Sequence, residues 1–213
     1  MTRRGLFIAD GSSDLPLARH LETICCSGGT GVEIVDVPAD RLPGVGLRVE
    51  DRLRAILAED PNFDIVFVHR DSENKDPSPR YSEVSSAVSA TFTGPAVAVV
   101  PVRMTEAWLL LDEQAIRQVA GSPSGRQDLS LPQRSAVERV ADPKRVLKDV
   151  LVTACGLHGR RLKMFRAQFP VHRALLLERL DPNGEVRELT AWSRLVADTA
   201  QALAILSTEG AGR

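Results

Sequence analysis

The sequence has few aromatic residues, few cysteines and almost no net charge, and each shortage limits what the protein can be. Aromatic residues make up 4% of the 213 residues, so the core must be built mainly from Val, Leu, Ile and Ala. The three cysteines show no Cys/His spacing that is typical of a zinc site. We therefore expect Cys25, Cys26 and Cys155 to be buried small hydrophobic residues in a reducing compartment.

The charge and the hydropathy pattern argue against a strongly basic nucleic-acid-binding protein and against a secreted or membrane protein. A net charge of -1 predicts no overall attraction to nucleic acid, so such binding would need a local cluster of cations. The apolar run before Asp10 has only about five residues, too few for a signal peptide, and no run is long enough to span a membrane. We therefore expect a cytoplasmic protein that does not contact a membrane.

Short apolar runs alternate with helical periodicity through the first hundred residues. This rhythm predicts an α/β fold with a four-stranded parallel sheet and helices on both faces. The predicted strands cover residues 5–9, 32–37, 64–68 and 96–100, and the predicted helices cover residues 14–26, 47–59 and 80–92. We expect Ser13 or Asp14 to cap the first helix and Pro38 to end the second strand.

The pattern changes after the fourth predicted strand and divides the chain into three parts. The spacing of apolar residues predicts one helix over residues 105–119, which completes an α/β domain over residues 1–120. Residues 121–141 are polar and rich in turn formers, which favours a mobile loop. Asp142-Pro143 is typical of a helix start, and residues 142–213 are predicted to form a helical extension packed on the same domain.

Acidic residues directly follow two of the predicted strands. Asp10 comes after the first strand, and Asp71 and Glu73 come after the third. Ligands of open α/β sheets bind at the carboxyl ends of the strands, and Mg²⁺ prefers one or two carboxylates together with water and phosphate oxygens. These three acids are therefore candidate metal ligands, although solvated loops remain the alternative.

A fourth acid and several cations extend this candidate site. Glu106 lies in the first turn of the helix after the fourth strand, where it is either a further metal ligand or a carboxylate stabilised by the helix dipole. His69, Arg70 and Arg103 stand beside the acids and are candidates for contacting phosphate. Residues 143–173 contain eight Lys and Arg against one acid.

This basic segment is a candidate surface for the phosphate backbone of nucleic acid. We select Arg160, Arg161 and Lys163 within it as the residues that bind nucleic acid. The alternative is a solvated helix face beside an acidic neighbour.

Two short motifs carry a resemblance to a known family. An acid and a glycine, Asp10-Gly11, follow the first predicted strand, and the acidic pair of Asp71-Ser72-Glu73 follows the third. This arrangement resembles the TOPRIM domain of topoisomerases, primases and OLD-type nucleases. With the segment Glu106-Ala107-Trp108-Leu109-Leu110 and a C-terminal tail that contains a tryptophan, the chain is similar to small bacterial TOPRIM-like proteins.

The resemblance implies a TOPRIM-like sheet and nuclease chemistry that depends on Mg²⁺ or Mn²⁺. It implies Asp10 as a general base or metal ligand, and Asp71 and Glu73 as metal ligands. Proteins of this kind are often encoded beside ABC-type or SMC-like ATPases in phage-defence loci. The resemblance therefore implies nucleic acid as the substrate and such an ATPase as a partner, and a homo-oligomer stays open.

Two positions depart from the TOPRIM pattern. TOPRIM domains normally have Glu at the place of Asp10 and Asp at the place of Glu73. A site for two metals about 3.5–4 Å apart tolerates little displacement of its ligands. Two other functions therefore stay open, which are a catalytically degenerate binding or regulatory subunit of the ATPase and a nucleotide phosphohydrolase.

Overall fold

A computed structural model describes residues 2–37, 42, 44–46, 48–73 and 75–210. The strands are β1 (Arg3–Ile8), β2 (Val32–Val37), β3 (Ile65–His69) and β4 (Ala96–Val99). The α-helices are α1 (Leu17–Ser27), α2 (Val49–Glu59), α3 (Ser78–Ser89), α4 (Glu106–Leu109), α5 (Glu113–Val119), α6 (Pro143–Cys155), α7 (Gly159–Ala167), α8 (Phe169–Arg179) and α9 (Thr190–Gly210). Short 3₁₀ helices cover Ser12–Asp14, Arg134–Arg139 and Glu185–Glu188.

The four strands form one parallel sheet in the order β2-β1-β3-β4, which confirms the predicted α/β fold. Leu6 of β1 lies beside Val35 of β2 on one side and beside Val66 of β3 on the other. The chain therefore leaves β1 towards one edge and returns to its other side for β3. The carboxyl ends of β1 and β3 thus form the switch point of the sheet, where open α/β folds bind ligands.

Alternate residues of the strands supply two separate cores, because successive side chains of a strand point to opposite faces. Phe7 and Phe67 belong to the larger core, which continues into α1, α6, α8 and α9. Leu6, Ile8 and Val66 belong to the smaller core, which packs under α2 and α3. The sheet is buried on both faces, and this burial accounts for the uninterrupted apolar runs of its central strands.

The larger core joins the C-terminal helices to the sheet. Trp108 of α4 and Trp192 of α9 are both buried and meet edge to face, with ring centroids 5.0 Å apart and planes at 87°. Such aromatic pairs favour this arrangement because the positive ring edge faces the negative ring face. The two tryptophans therefore belong to the core.

The helix predicted over residues 105–119 is wrong, since two helices take its place. α4 ends at Leu109 and α5 begins at Glu113. The Asp112 side chain accepts a hydrogen bond from the Ala115 amide at 2.8 Å. Asp112 thereby caps a new helix, because its short side chain competes for a backbone amide that a continuous helix would use.

The predicted start of the first helix is also wrong. α1 begins at Leu17, after a 3₁₀ turn and Pro16, and no side-chain cap satisfies its first turn. Ser13 therefore does not cap α1, and the Asp14 carboxylate has other partners, described below. The start of α2 lies at Val49, whereas Pro38 and residue 47 lie outside the described residues.

The cysteines do not share one environment. Cys25 is buried, Cys155 is half-buried and Cys26 is exposed, because neighbouring residues of a helix point in different directions. The expectation of burial is therefore wrong for Cys26. Burial raises the pKa of the Cys25 thiol to about 12, which keeps this thiol protonated and unreactive.

The polar segment between α5 and α6 is attached to the larger core at several points, and its Val137 is fully buried there. Leu129 is buried, and the Gln127 amide donates to the Ala154 carbonyl at 2.7 Å. The mobility of this segment stays a prediction. Within the described part of the chain, no helix combines the length and the apolar character needed to cross a membrane.

Candidate functional site

A chain of hydrogen bonds connects the ends of β1 and β3 at the switch point. The Asp10 amide donates to Nδ1 of His69 at 3.4 Å, and Nε2 of His69 lies 3.0 Å from Oγ1 of Thr105. Because an amide can only donate, Nδ1 is an acceptor and the neutral ring carries its proton on Nε2. Thr105 in turn donates from Oγ1 to Oδ1 of Asp71 at 3.3 Å. The buried His69 ring is thus a link within the site and has no free face for phosphate.

Asp71 lies just beyond the end of β3 and is held in place by Thr105. Its Oδ1 atom accepts hydrogen bonds from both the amide and the hydroxyl of Thr105, at 3.1 and 3.3 Å. Burial raises the pKa of Asp71 to about 6, and the negative charges of Asp14 and Glu106 add to this rise against the opposing influence of His69. A carboxylate with a perturbed pKa at a strand end is typical of a functional site.

Asp14 and Glu106 are bound by a buried arginine from the C-terminal part of the chain. Arg173 of α8 donates from Nη2 to Asp14 at 2.6 Å and from Nε to Glu106 at 2.8 Å. Its Nη1 atom donates to the Ser13 carbonyl at 2.6 Å. These three charged side chains are 2–4% exposed, so they form a buried ion triad with two negative charges and one positive charge.

Pairing with Arg173 gives both Asp14 and Glu106 a structural role. The pKa of Asp14 is lowered although burial alone would raise it, because the positive charge of Arg173 and the hydrogen bond from its Nη2 atom favour the ionised form. Asp14 therefore attaches α8 to the sheet edge and does not cap α1. Glu106 is engaged by Arg173 in the same way, and its carboxylate is not available as a ligand in this arrangement.

Asp10 and Glu73 also have arginine partners. The Asp10 carboxylate accepts a hydrogen bond from Nη1 of Arg70, whose Nη2 atom lies 3.3 Å from Glu83. Glu73 is 65% exposed and pairs with Arg80 at 3.3 Å. Both acids therefore point towards guanidinium groups on the α3 side of the sheet edge.

The predicted metal ligands do not converge into a closed metal site. Among residues 2–37, 48–73 and 75–210, no group of three His, Cys, Asp or Glu side chains is placed to hold a metal ion. Arginines engage three of the four predicted ligands, and Asp71 alone has no Arg or Lys within ion-pair distance in that part of the chain. Since Mg²⁺ can be bound through one or two carboxylates plus water and phosphate oxygens, Asp71 is the residue that fits such an ion best.

The loops after β3 and β4 are joined together and carry backbone strain. The Ser72 amide donates to the Pro101 carbonyl at 3.3 Å, and the Glu73 amide donates to the Arg103 carbonyl at 2.8 Å. Glu73 and Arg103 both adopt the left-handed conformation, with φ of 57° and 63°, which residues other than glycine adopt only at a cost. Such strain is typical of functional loops held by their surroundings.

The predicted phosphate contact of Arg103 finds no support in its side-chain partner. Its guanidinium donates to the Ala141 carbonyl at 3.2 Å, which links the loop after β4 to the segment before α6. Arg70 is better placed, since it lies directly between Asp10 and the α3 side of the edge. Both assignments stay predictions.

The basic residues Arg160, Arg161 and Lys163 lie together on α7. No residue of α7 is buried, and no basic residue of this helix forms a salt bridge to any acid in the described part of the chain. An exposed α7 fits both a solvated helix face and a surface for nucleic acid, so both interpretations of the basic segment stay predictions. α7 ends next to α8, whose Arg173 reaches the sheet edge, so its unpaired positive charge lies close in the chain to the candidate site.

The roles of Asp14, Thr105, Arg173 and Arg52 at this edge were not predicted from the sequence. A signal existed for Arg52, because it occupies the inward positions of α2 together with the buried Val49, Leu53 and Ile56, where a charge is unexpected. Arg173 is one of the eight cations of residues 143–173, but no pattern connected it with Asp14, which is 159 positions away.

Comparison of the chain with protein-family models, with curated proteins and with solved structures finds no match in any of the three. The resemblance to TOPRIM domains therefore rests on the motifs after β1 and β3.

Proposed function

We propose that this protein cleaves phosphodiester bonds of nucleic acid with the help of Mg²⁺ or Mn²⁺ bound at Asp71. One observation carries the proposal. Asp71 is a largely buried carboxylate at the switch point, fixed by Thr105, with its pKa raised to about 6 by burial and by nearby negative charge. The charges of Asp14 and Glu106 act on Asp71, and the two acids share one guanidinium, that of Arg173. A divalent cation at Asp71 would offset this local excess of negative charge.

The chain's own residues would prepare such a site for a phosphate group. Thr105 holds the Asp71 carboxylate in one orientation through two hydrogen bonds, and Arg70 stands beside it as a charged donor. A bound metal would polarise the phosphate and lower the pKa of a water molecule. Asp10 would contribute as a base or ligand only after its carboxylate leaves Arg70.

The exposed basic helix α7 favours a polymeric substrate over a free nucleotide. Its cations Arg160, Arg161 and Lys163 have no acidic partner in the described chain, and a row of such charges suits successive phosphates of a backbone. A small nucleotide needs no surface of this extent. Cytoplasmic action in a phage-defence system, with an ABC-type or SMC-type ATPase as partner, belongs to the proposal and is supported by the TOPRIM resemblance.

The test compares Asp71→Asn with Asp76→Asn, since both residues follow β3 and Asp76 is an exposed acid that caps the turn at Ser78. We expect Mn²⁺-dependent cleavage of single- or double-stranded DNA or RNA by the wild type. Asp71→Asn should lose at least about a hundredfold in rate, in keeping with the loss of a metal ligand or its orientation. Asp76→Asn should cleave normally. Full activity of Asp71→Asn would show that the site is wrongly assigned.

A second candidate is a binding or regulatory subunit without catalysis. The observation that favours it is the pairing of Asp10 with Arg70 and of Glu106 with Arg173, since neutralised carboxylates do not need a metal. Calorimetric titration with Mn²⁺ separates the two functions. Absence of heat at millimolar Mn²⁺, with an unchanged trace for Asp10→Ala and nucleic-acid binding that depends on salt, would support the binding subunit.

The same activity assay tests the nucleotide phosphohydrolase alternative. Faster hydrolysis of free nucleotides than of DNA or RNA would support it. Reversal of charge in Arg160→Glu and Arg161→Glu would then leave the rate unchanged, whereas a nuclease should bind nucleic acid more weakly and with a flatter salt dependence.

A further inference from the structure

Arg52 is a buried arginine with free hydrogen-bond donors. It lies in the first turn of α2 and is 3% exposed. Its Nε and Nη2 atoms are buried and have no hydrogen-bond partner among the described residues, and it forms no salt bridge there. Buried arginines in proteins are normally paired, because a desolvated charge without a partner is costly.

The position of Arg52 places its charge at the switch point. α2 follows β2 and leads to β3, so its first turn lies at the carboxyl edge of the sheet, on the face of the smaller core. The charge of Asp10 opposes the lowering of the Arg52 pKa by burial, and the charge of Arg70 adds to that lowering. Arg52 is therefore within electrostatic reach of both residues.

Arg70 contributes a second unused donor at the same place. Its Nη1 and Nη2 atoms are engaged by Asp10 and Glu83, but its Nε atom is buried without a hydrogen-bond partner among the described residues. Two guanidinium groups with buried, unpartnered donors thus lie at the carboxyl edge of the sheet, one on α2 and one directly after β3. The carboxylates of Asp10 and Glu83 face Arg70, and Asp10 also acts on the charge of Arg52.

We infer that Arg52 and Arg70 form a receptor for a phosphate group at the switch point of the sheet. Planar guanidinium groups bind phosphate through paired, charge-assisted hydrogen bonds, and the bound anion would satisfy donors that the protein leaves unpaired. The choice of phosphate over another anion rests on the proposed function, because a phosphodiester substrate must be held beside Asp71. The inference adds Arg52, on α2, to a site otherwise built from the ends of β1, β3 and β4.

The test is titration with inorganic phosphate in the presence of EDTA, so that it does not depend on metal or cleavage. We expect phosphate to release or absorb heat with the wild type and to raise its melting temperature, as a ligand of the folded state does. Arg52→Gln should weaken phosphate binding by at least about tenfold, about 1.4 kcal/mol. Arg54→Gln is the matched control, because Arg54 lies on the same helix but is exposed and paired with Glu50. It should bind phosphate as the wild type does.

The other possible results of the titration either overturn the phosphate receptor or separate it from the proposed nuclease. Equal phosphate binding by Arg52→Gln and wild type, or no binding by the wild type, would overturn the inference. Stabilisation by acetate but not by phosphate would assign the receptor to a carboxylate and overturn it as well. Phosphate binding without metal-dependent cleavage would leave the receptor supported and the proposed nuclease contradicted.

A stability measurement distinguishes a phosphate-binding role of Arg52 from a purely structural one. Arg52→Met should fold and melt at a higher temperature than the wild type in phosphate-free buffer, because it removes an unpaired buried charge and keeps a long side chain. It should also lose the stabilisation by phosphate. Failure of Arg52→Met to fold, or a lower melting temperature, would assign Arg52 to the core and contradict the inference.

Discussion

Two buried arginines on opposite faces of the sheet, Arg173 and Arg52, have opposite relations to their surroundings. They are 4% and 3% exposed, so both have lost nearly all contact with water. Arg173 donates to Asp14, Glu106 and the Ser13 carbonyl, whereas two nitrogens of Arg52 have no partner among the described residues. Equal burial thus accompanies a completed ion triad in one case and unused donors in the other.

The comparison separates a structural charge from a candidate ligand-binding charge. The Arg173 triad connects α8 to the ends of β1 and β4, and removal of one member leaves the others buried and uncompensated. Two nitrogens of Arg52 bond to none of the described residues, so its burial lowers stability in the absence of a ligand. Proteins retain such costs mainly where function requires them.

The largest expected effect is on Arg173. Arg173→Met should lower the free energy of unfolding by about 3–5 kcal/mol, because Asp14 and Glu106 remain as unpaired buried charges. Urea denaturation followed by circular dichroism measures this change. Arg179→Met, at an exposed position of the same helix, is the control and should change stability by less than about 0.5 kcal/mol.

The triple variant Arg173→Met, Asp14→Asn, Glu106→Gln sharpens this comparison. It removes the unpaired charges and should recover part of the lost stability. If Arg173→Met alone is as stable as the wild type, the triad does not hold α8 at the sheet edge.

The next effect is a dependence of stability on pH caused by Asp71. Its pKa in the folded protein is about 6, above the ordinary value of 3.8, so the folded state holds this proton more tightly than the unfolded state. The contribution of Asp71 therefore favours the folded state fully below about pH 4 and is lost as pH rises from about 4 to about 6. The total loss is at most about 3 kcal/mol, and less where water reaches the carboxylate.

This contribution is measured as a difference between variants, because other acids titrate in the same range. Asp71→Asn should be more stable than the wild type above pH 6, and the difference should shrink towards pH 4. Asp76→Asn should change stability in the opposite direction and be less stable than the wild type at neutral pH. The reason is that hydrogen bonds from Ser78 lower the pKa of Asp76. A constant difference between Asp71→Asn and wild type from pH 4 to 7 would contradict the raised pKa.

The smallest effect is expected for Arg52, and its sign is opposite to that of Arg173. Arg52→Met should raise the free energy of unfolding by about 1–2 kcal/mol in buffer without phosphate, because apolar replacement of poorly compensated buried charge is stabilising. The same urea titrations as for Arg173→Met provide the comparison. Destabilisation by more than about 1 kcal/mol would place the two arginines in the same structural class.

The sheet was predictable from the sequence because its signal is local. Four apolar runs bounded by Gly, Pro and acidic residues predicted β1 to β4 with their ends displaced by at most two residues. The edge that carries Asp10, Asp71 and Glu106 followed from the rule that parallel strands end at one side of a sheet. The break between α4 and α5 was not predictable in the same way, because Leu111 continues the apolar spacing and only the local bond of Asp112 ends it.

The partners of the charges were not predictable from the sequence. Asp14 and Arg173 are 159 positions apart, and only the packing of α8 against the sheet brings them together. The prediction that Asp10, Glu73 and Glu106 bind a metal depended only on the position of each acid after a strand. Tertiary structure supplies an arginine to each of them, and that pairing narrows the candidate metal ligand to Asp71.

The sequence by itself determined the alternation of strands and helices up to β4, the acidic edge of the sheet and the basic character of residues 143–173. These properties depend on hydrophobic periodicity and on composition, which neighbouring residues set. Tertiary structure alone decided which carboxylates are neutralised and which arginines are left with unused donors. The physical reason is that burial and charge pairing act between residues distant in the chain, so an acid or an arginine has its role fixed only by what the fold places beside it.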